Sequence, residues 1–137
     1  MVEEAGDGQF TQFIQVGSHE LLADEQLDTG GNNRGPDPYS FILIGLGACT
    51  SMTLRMYATQ HNIPLKKICI TLTHQKAHHE DLLCCEMKDE RLDIIRCVID
   101  LQGDLTDDQK KQFLEVAEKC PIHKTLMQPP IIKTTLG

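Results

Sequence analysis

From Asp37 to Ala58 the chain runs almost without charge, and this stretch constrains the rest of the fold. Asp37 is placed to cap a helix N-terminus, and Pro38 fits the first helical position, where its missing N–H costs nothing. The twenty-odd residues that follow span roughly 30 Å as a helix, at about 1.5 Å per residue. Ile42, Leu46, Cys49, Thr53 and Met56 fall on one face, while Leu43, Leu54 and Tyr57 fall elsewhere around it. A helix that is apolar nearly all round is expected to be buried. Gly45, Gly47 and Ala48 leave almost no side chain in its middle. Glycine inside a helix costs about 1 kcal/mol relative to alanine, so this stretch predicts a close helix–helix contact. Thr50, Ser51, Thr53 and Arg55 interrupt the run, which falls short of an unbroken transmembrane span.

The flanking segments read as strands and one further helix. Phe10 to Val16 and His19 to Asp24 are two short strands joined by Gly17-Ser18, and Gly30 to Gly35 is a loop by composition. After Asn62-Ile-Pro64 closes the central helix, Ile68, Ile70 and Leu72 alternate with Cys69, Thr71 and Thr73. His74 to Leu83 is read as a continuing arm, and Lys88 to Glu90 as a turn. Ile95, Cys97, Ile99 and Leu101 then share a face of the next strand. Thr106 and Gln109 form a capping box ahead of a helix that reaches Lys119. Pro129-Pro130 leads into a last strand, Ile131 to Thr135. The order ββ-α-ββ-α-β, without βαβ alternation, predicts an α+β fold with mainly antiparallel sheet.

Length and charge narrow the function. A chain of 137 residues is expected to form a single domain, 1–137, large enough to bury a core without disulfides. Its bulk is unusual, with four Phe, two Tyr and no Trp beside a dense aliphatic run, which points to a homo-oligomer sharing its core. The 20 acidic residues outnumber the 13 basic ones, and no basic stripe forms, so nucleic acid is not an expected partner. Met1-Val-Glu-Glu-Ala does not open a signal peptide. The expectation is a soluble cytoplasmic protein with no membrane partner, whose six cysteines are mostly reduced.

Two of those cysteines stand apart. Cys49 lies inside the apolar helix, where it is either a core residue or a reactive thiol needing a donor from elsewhere in the fold. Cys120 lies where Pro121 breaks one helix and starts the next. If Cys120 caps Pro121 to Leu126, its sulfur meets helical N–H groups, with Lys119 and Lys124 nearby. Phe113, Ala117 and Cys120 are spaced to face inward together. His123 is either a donor to Cys120 or a surface histidine. Cys69 and Cys97, within strands, read as small apolar fillers. Cys84-Cys85 with His74, His78 and His79 has the residue types of a metal cluster. Adjacent strand cysteines point to opposite faces, however, so no metal is expected there.

Three motifs carry a resemblance: Gly35-Pro-Asp-Pro-Tyr39, Gly47-Ala-Cys-Thr-Ser-Met-Thr-Leu-Arg-Met-Tyr-Ala58 and Cys120-Pro-Ile-His-Lys-Thr-Leu126. Together with Gln102-Gly-Asp-Leu105 they resemble the OsmC/Ohr family, named for osmotically inducible protein C and organic hydroperoxide resistance protein, in its short OsmC-like branch. The resemblance implies an intertwined homodimer with antiparallel sheets packed around long central helices. It also implies thiol-dependent reduction of organic hydroperoxides or hydrogen peroxide, without flavin, haem or metal. On that carry-over Cys49 attacks the peroxide and becomes a sulfenic acid, Cys120 resolves it as a disulfide, and a dithiol reductant restores the pair. Peroxide-reducing members hold their thiolate with an arginine, itself held by a glutamate early in the central helix. Here that region reads Pro38-Tyr39-Ser40, and no arginine precedes Arg34. Arg55 lies about 120° around the helix from Cys49. This departure favours an alternative, a non-enzymatic redox-sensing or small-ligand-binding dimer on the same fold.

Overall fold

The computed structural model describes residues 1–77, 92–128 and 130–137. His78, His79, Cys84, Cys85 and the turn expected at Lys88 to Glu90 lie outside the described residues. The chain divides into two compact units, Met1–Ile44 and Gly45–Gly137.

In the first unit, β1 (Val2–Glu4), β2 (Gln12–Val16) and β3 (His19–Ala23) form an antiparallel sheet in that order. Pairing β2 to β3 needs only the two-residue turn at Gly17-Ser18, and Gly17 takes φ 60°, which glycine adopts without a Cβ clash. β1, too short to show an alternating pattern, was not expected; it is fixed by pairing Val2 with Ile14. Beyond β3 the loop folds back over a buried carboxylate. Asp24 accepts a hydrogen bond from the Thr11 hydroxyl at 3.1 Å and from the backbone N–H groups of Glu25, Asn32 and Arg34 at 2.9, 3.3 and 3.3 Å. Burial raises its pKa, but these four donors together outweigh it and hold the carboxyl below its ordinary value. Arg34 pairs with Asp7 at the surface of this unit. The loop leaves no room at Gly35, where a Cβ would lie 2.1 Å from the Leu22 carbonyl oxygen.

α1 (Pro38–Gln60) starts as the sequence predicts. Asp37 accepts from the Ser40 N–H at 2.9 Å and the Ser40 hydroxyl at 2.7 Å. Its burial differs from the expectation of an apolar helix hidden all round. The buried residues are Leu46, Thr50, Leu54 and Ala58, a single line at i+4 spacing, while Met52 and Met56 are 71% and 57% exposed. Among the described residues, neighbours cover only one side of the helix. By length and a mean hydropathy of 1.4, α1 would be long and apolar enough to cross a membrane. Two of its residues, Leu54 and Ala58, share a buried cluster with Leu65, Phe113 and Ala117.

In the second unit, β4 (Leu65–Ala77) and β5 (Leu92–Gly103) form a long antiparallel pair, with Ile68 opposite Leu101, Ile70 opposite Ile99 and Leu72 opposite Cys97. Ile68, Ile99 and Leu101 pack against the α1 cluster. The close approach encoded by the small residues is to this sheet rather than to a helix of the same chain. A Cβ on Gly47 would lie 2.7 Å from Leu72 Cδ1, whereas one on Gly45 would meet open space. α2 (Asp107–Ala117) carries the expected capping box and buries Phe113 completely. The Phe113 ring meets Tyr57 edge-on, with centroids 5.6 Å apart. α3 (Pro121–Met127) follows directly. Ile131 to Thr135, expected as a last strand, is not one: no segment of the described chain pairs with it, and Ile131 and Ile132 stay 89% and 83% exposed. An unpaired strand leaves its ladder hydrogen bonds unmade within the chain.

Candidate thiol site

The site forms where α1 passes the junction of α2 and α3. The i+4 line of α1 buries Thr50 at 2% exposure, and its neighbour Cys49 lies half-buried beside that line. At the junction, the Cys120 N–H closes the end of α2 by donating to the Ala117 carbonyl at 3.2 Å, and its own carbonyl accepts the first helical bond of α3 from the Lys124 N–H at 3.1 Å. Pro121 takes the first position of α3, where no N–H is needed. The Cys120 side chain then does what a serine or aspartate does at other helix starts: its sulfur accepts from the His123 N–H at 3.5 Å.

Cys49 and Cys120 are both free thiols, and each bears on the ionisation of the other. The two sulfurs differ in environment. Burial pushes the Cys49 thiol up, and the Cys120 sulfur pushes it further, against smaller opposing contributions from the Ile122 N–H and Thr53. Cys120 is fully buried, which by itself would raise its pKa too. The His123 N–H, the Cys49 thiol, the Thr50 hydroxyl and the Ile122 N–H together reverse that and bring it below the ordinary thiol value. The donors are neutral. Lys119 and Lys124 are exposed, and the His123 contribution to Cys120 is its backbone N–H rather than its ring.

Neither arginine singled out in the sequence holds a thiolate. Arg34 pairs with Asp7, and the Arg55 guanidinium donates to the carbonyls of Leu65 and Lys66 at 2.6 and 3.1 Å. Thr50 and the Ile122 N–H were absent from the sequence reading. Thr50 carried a usable signal, since it falls at i+4 between Leu46 and Leu54 on an otherwise apolar line.

Cys69 and Cys97 are both exposed and are not core fillers, as the strand pattern had suggested. A β4–β5 pair covered on one side leaves alternate residues open, and Cys69, opposite Asp100, lies on the uncovered face. Cys97 lies on the inner face, on the wall of a cavity of about 280 Å³ shared with Leu46, Thr50, Ile99 and His123. A neighbouring cavity of about 380 Å³ continues past Cys97 and His123 to Leu126 and Met127. Partial burial and the charge on Cys120 both push the Cys97 thiol up. Among the described residues, no three His, Cys, Asp or Glu side chains converge as a metal site; His74 instead contacts Asp93 at 2.8 Å.

The likeness to solved structures extends over nearly the full chain. An OsmC like protein from Mycoplasma pneumoniae superposes with a TM-score of 0.72 at 18% identity, over 94% of this chain and 86% of that one. An organic hydroperoxide resistance protein OsmC from Legionella pneumophila superposes with a TM-score of 0.66 at 16% identity, over 93% and 88%. At such identities the likeness speaks for the fold. Among curated proteins, none matches the chain. The family model for OsmC-like protein matches residues 30–135, a span that holds all of α1, the β4–β5 pair and both paired thiols. Fold and sequence thus agree on one assignment, and the chain belongs to the OsmC-like protein family.

Proposed function

We propose that the protein reduces organic hydroperoxides or hydrogen peroxide with its Cys49–Cys120 pair. The observation that carries this reading is that two free thiols, one half-buried and one fully buried, bear on each other's ionisation. Cys49, the more accessible, attacks the peroxide and becomes a sulfenic acid, and Cys120 condenses with it to a disulfide. A dithiol reductant then restores both thiols by exchange. The chain's own sulfurs supply both electrons, and the reaction as proposed uses no flavin, haem or metal. The cavity lined by Leu46, Thr50, Cys97, Ile99 and His123 has apolar walls that suit the organic part of a hydroperoxide. Such a cycle belongs in a reducing cytoplasm. We further propose a homodimer, supported by the exposed Met52 and Met56 along α1.

The test is consumption of tert-butyl hydroperoxide with dihydrolipoamide as reductant. Wild type is expected to turn over, and Cys49→Ser to lose at least about a hundredfold in rate, because a peroxide does not oxidise a serine oxygen as it does a cysteine sulfur. Retention of full turnover by Cys49→Ser would overturn the reading.

One observation favours a second reading. Both candidate arginines are engaged elsewhere, Arg34 with Asp7 and Arg55 with backbone carbonyls. A redox-sensing dimer would form a single Cys49–Cys120 disulfide under mild peroxide, seen by mass spectrometry, with little turnover.

A further inference from the structure

The two cavities, of about 280 and 380 Å³, share Leu46, Cys97 and His123 as lining residues, so one continues into the other. The larger is lined by Asp93 and Ile95 of β5 and the smaller by Ile99 of the same strand. From Asp93 to Ile99 a strand covers roughly 20 Å, at about 3.3 Å per residue. The joined space is therefore a channel along β5 with a waist at Cys97. Neither Cys49 nor Cys120 is among its described lining residues, but Cys120 lies directly behind the wall. Its N–H donates to the Ala117 carbonyl at 3.2 Å and its sulfur accepts from the His123 N–H at 3.5 Å, and Ala117 and His123 both line the smaller cavity.

The walls define what fits. Leu46 and Ile99 form the middle, with Leu114 toward one end and Leu126 and Met127 toward the other. Those last three are 59%, 42% and 71% exposed, so apolar surface at both ends stays in water unless something covers it. The charged lining residues are Glu118 and Asp93, and no Lys or Arg joins them among the described residues. His74, which contacts Asp93 at 2.8 Å, is not one of the lining residues. A carboxylate or phosphate in the channel would meet like charge with no lining cation to offset it.

We propose that the channel binds one uncharged molecule with an elongated apolar chain, which passes Cys97 at the waist. Such a chain is either the organic part of a long neutral hydroperoxide, in which case the proposal rests on the peroxidase reading above, or part of a neutral lipid-like ligand that does not react. The same walls hold both.

Cys97 is a built-in probe, since it lines both cavities while Cys69 lies on the other face of the sheet. The experiment labels the reduced wild-type protein with N-ethylmaleimide and reads the rates at Cys97 and Cys69 by peptide mass spectrometry. Decanol is expected to slow Cys97 labelling in a saturable way, about tenfold at about ten times its half-protecting concentration, and to leave Cys69 unchanged. Decanoate, the same chain with a charged head, and the short tert-butanol are expected to slow Cys97 less than about twofold at that concentration. An unchanged Cys97 rate with decanol, or equal protection by decanoate, would overturn the proposal. So would a Cys97 that resists labelling with no ligand present, which would show the channel covered by a second copy of the chain. Turnover of tert-butyl hydroperoxide with dihydrolipoamide separates the two sources. Inhibition by decanol at the concentrations that protect Cys97 assigns the chain to the substrate, and protection without inhibition assigns it to a separate ligand. Absence of any turnover removes the peroxidase reading and leaves the labelling result standing.

Discussion

Cys49 and Cys120 act on each other's ionisation in opposite senses: the buried Cys120 raises the Cys49 thiol, and Cys49 helps to lower that of Cys120. Burial alone would favour the reverse order. The donors around Cys120 decide it: backbone N–H groups at the start of α3 and a hydroxyl from α1 converge on a single sulfur that water does not reach.

This ordering predicts two separate titrations. Thiolate absorbance in the ultraviolet should show a step below the ordinary thiol value of 9.0, from Cys120, while Cys49 and Cys97 titrate above it. The titratable groups facing Cys120 are Cys49 from α1 and Cys97 from β5, with His123 supplying a backbone donor. Cys120→Ser should remove the lower step. Cys49→Ala, which takes away a donor, should move it upward. A lower step that survives in Cys120→Ser would assign it to another residue.

Asp24 gives the fold a dependence on acid. Its carboxyl is held below its ordinary value of 3.8 because four donors fix the charged form. A group depressed in the folded state stabilises above its unfolded pKa, and that contribution is lost as pH falls through the folded one. Urea midpoints should therefore drop as the pH is lowered below about 3.8 and toward the folded pKa. Asp24→Asn should flatten that decline, since an amide cannot titrate. A variant with the wild-type pH slope would show that other carboxylates carry it; Asp37, also depressed through its bonds to Ser40, is the next to test.

Gly47 should tolerate little. A Cβ there meets the end of the Leu72 side chain at 2.7 Å, and Leu72 pairs across the sheet with Cys97. Gly47→Leu is expected to cost about 1–3 kcal/mol in a denaturant melt, the usual range for overpacking, despite the gain in helix propensity. A variant at least as stable as wild type would show that α1 can lift from β4.

The features legible in the sequence are those set by neighbours along the chain. Asp37 with Pro38, Thr106 with Gln109, and Cys120 with Pro121 each cap a helix through groups within three residues, and all three form. The turn at Gly17-Ser18 and the alternation from Ile68 to Leu72 are local in the same sense. The readings that failed concern what lies opposite. Cys69 and Cys97 share the strand pattern of a core residue, yet only pairing and sheet coverage decide which face is closed. Ile131 to Thr135 has strand composition, but a strand exists only where a second segment completes its hydrogen bonds. The last-strand expectation therefore fails within this chain, while the short β1, with little pattern of its own, forms because Ile14 and its neighbours lie across from it.

By itself, then, the sequence determined the family, the α+β class and the helix start at which Cys120 sits, because caps, turns and hydropathic period act over a few residues. Only the tertiary structure decided that Cys49 and Cys120 bear on each other's ionisation, that Thr50 is among the groups lowering Cys120, and that Arg55 is spent on the Leu65 and Lys66 carbonyls. Those outcomes depend on how α1, β4 and the α2–α3 junction approach one another, and a thiol's charge follows from the donors that this approach delivers.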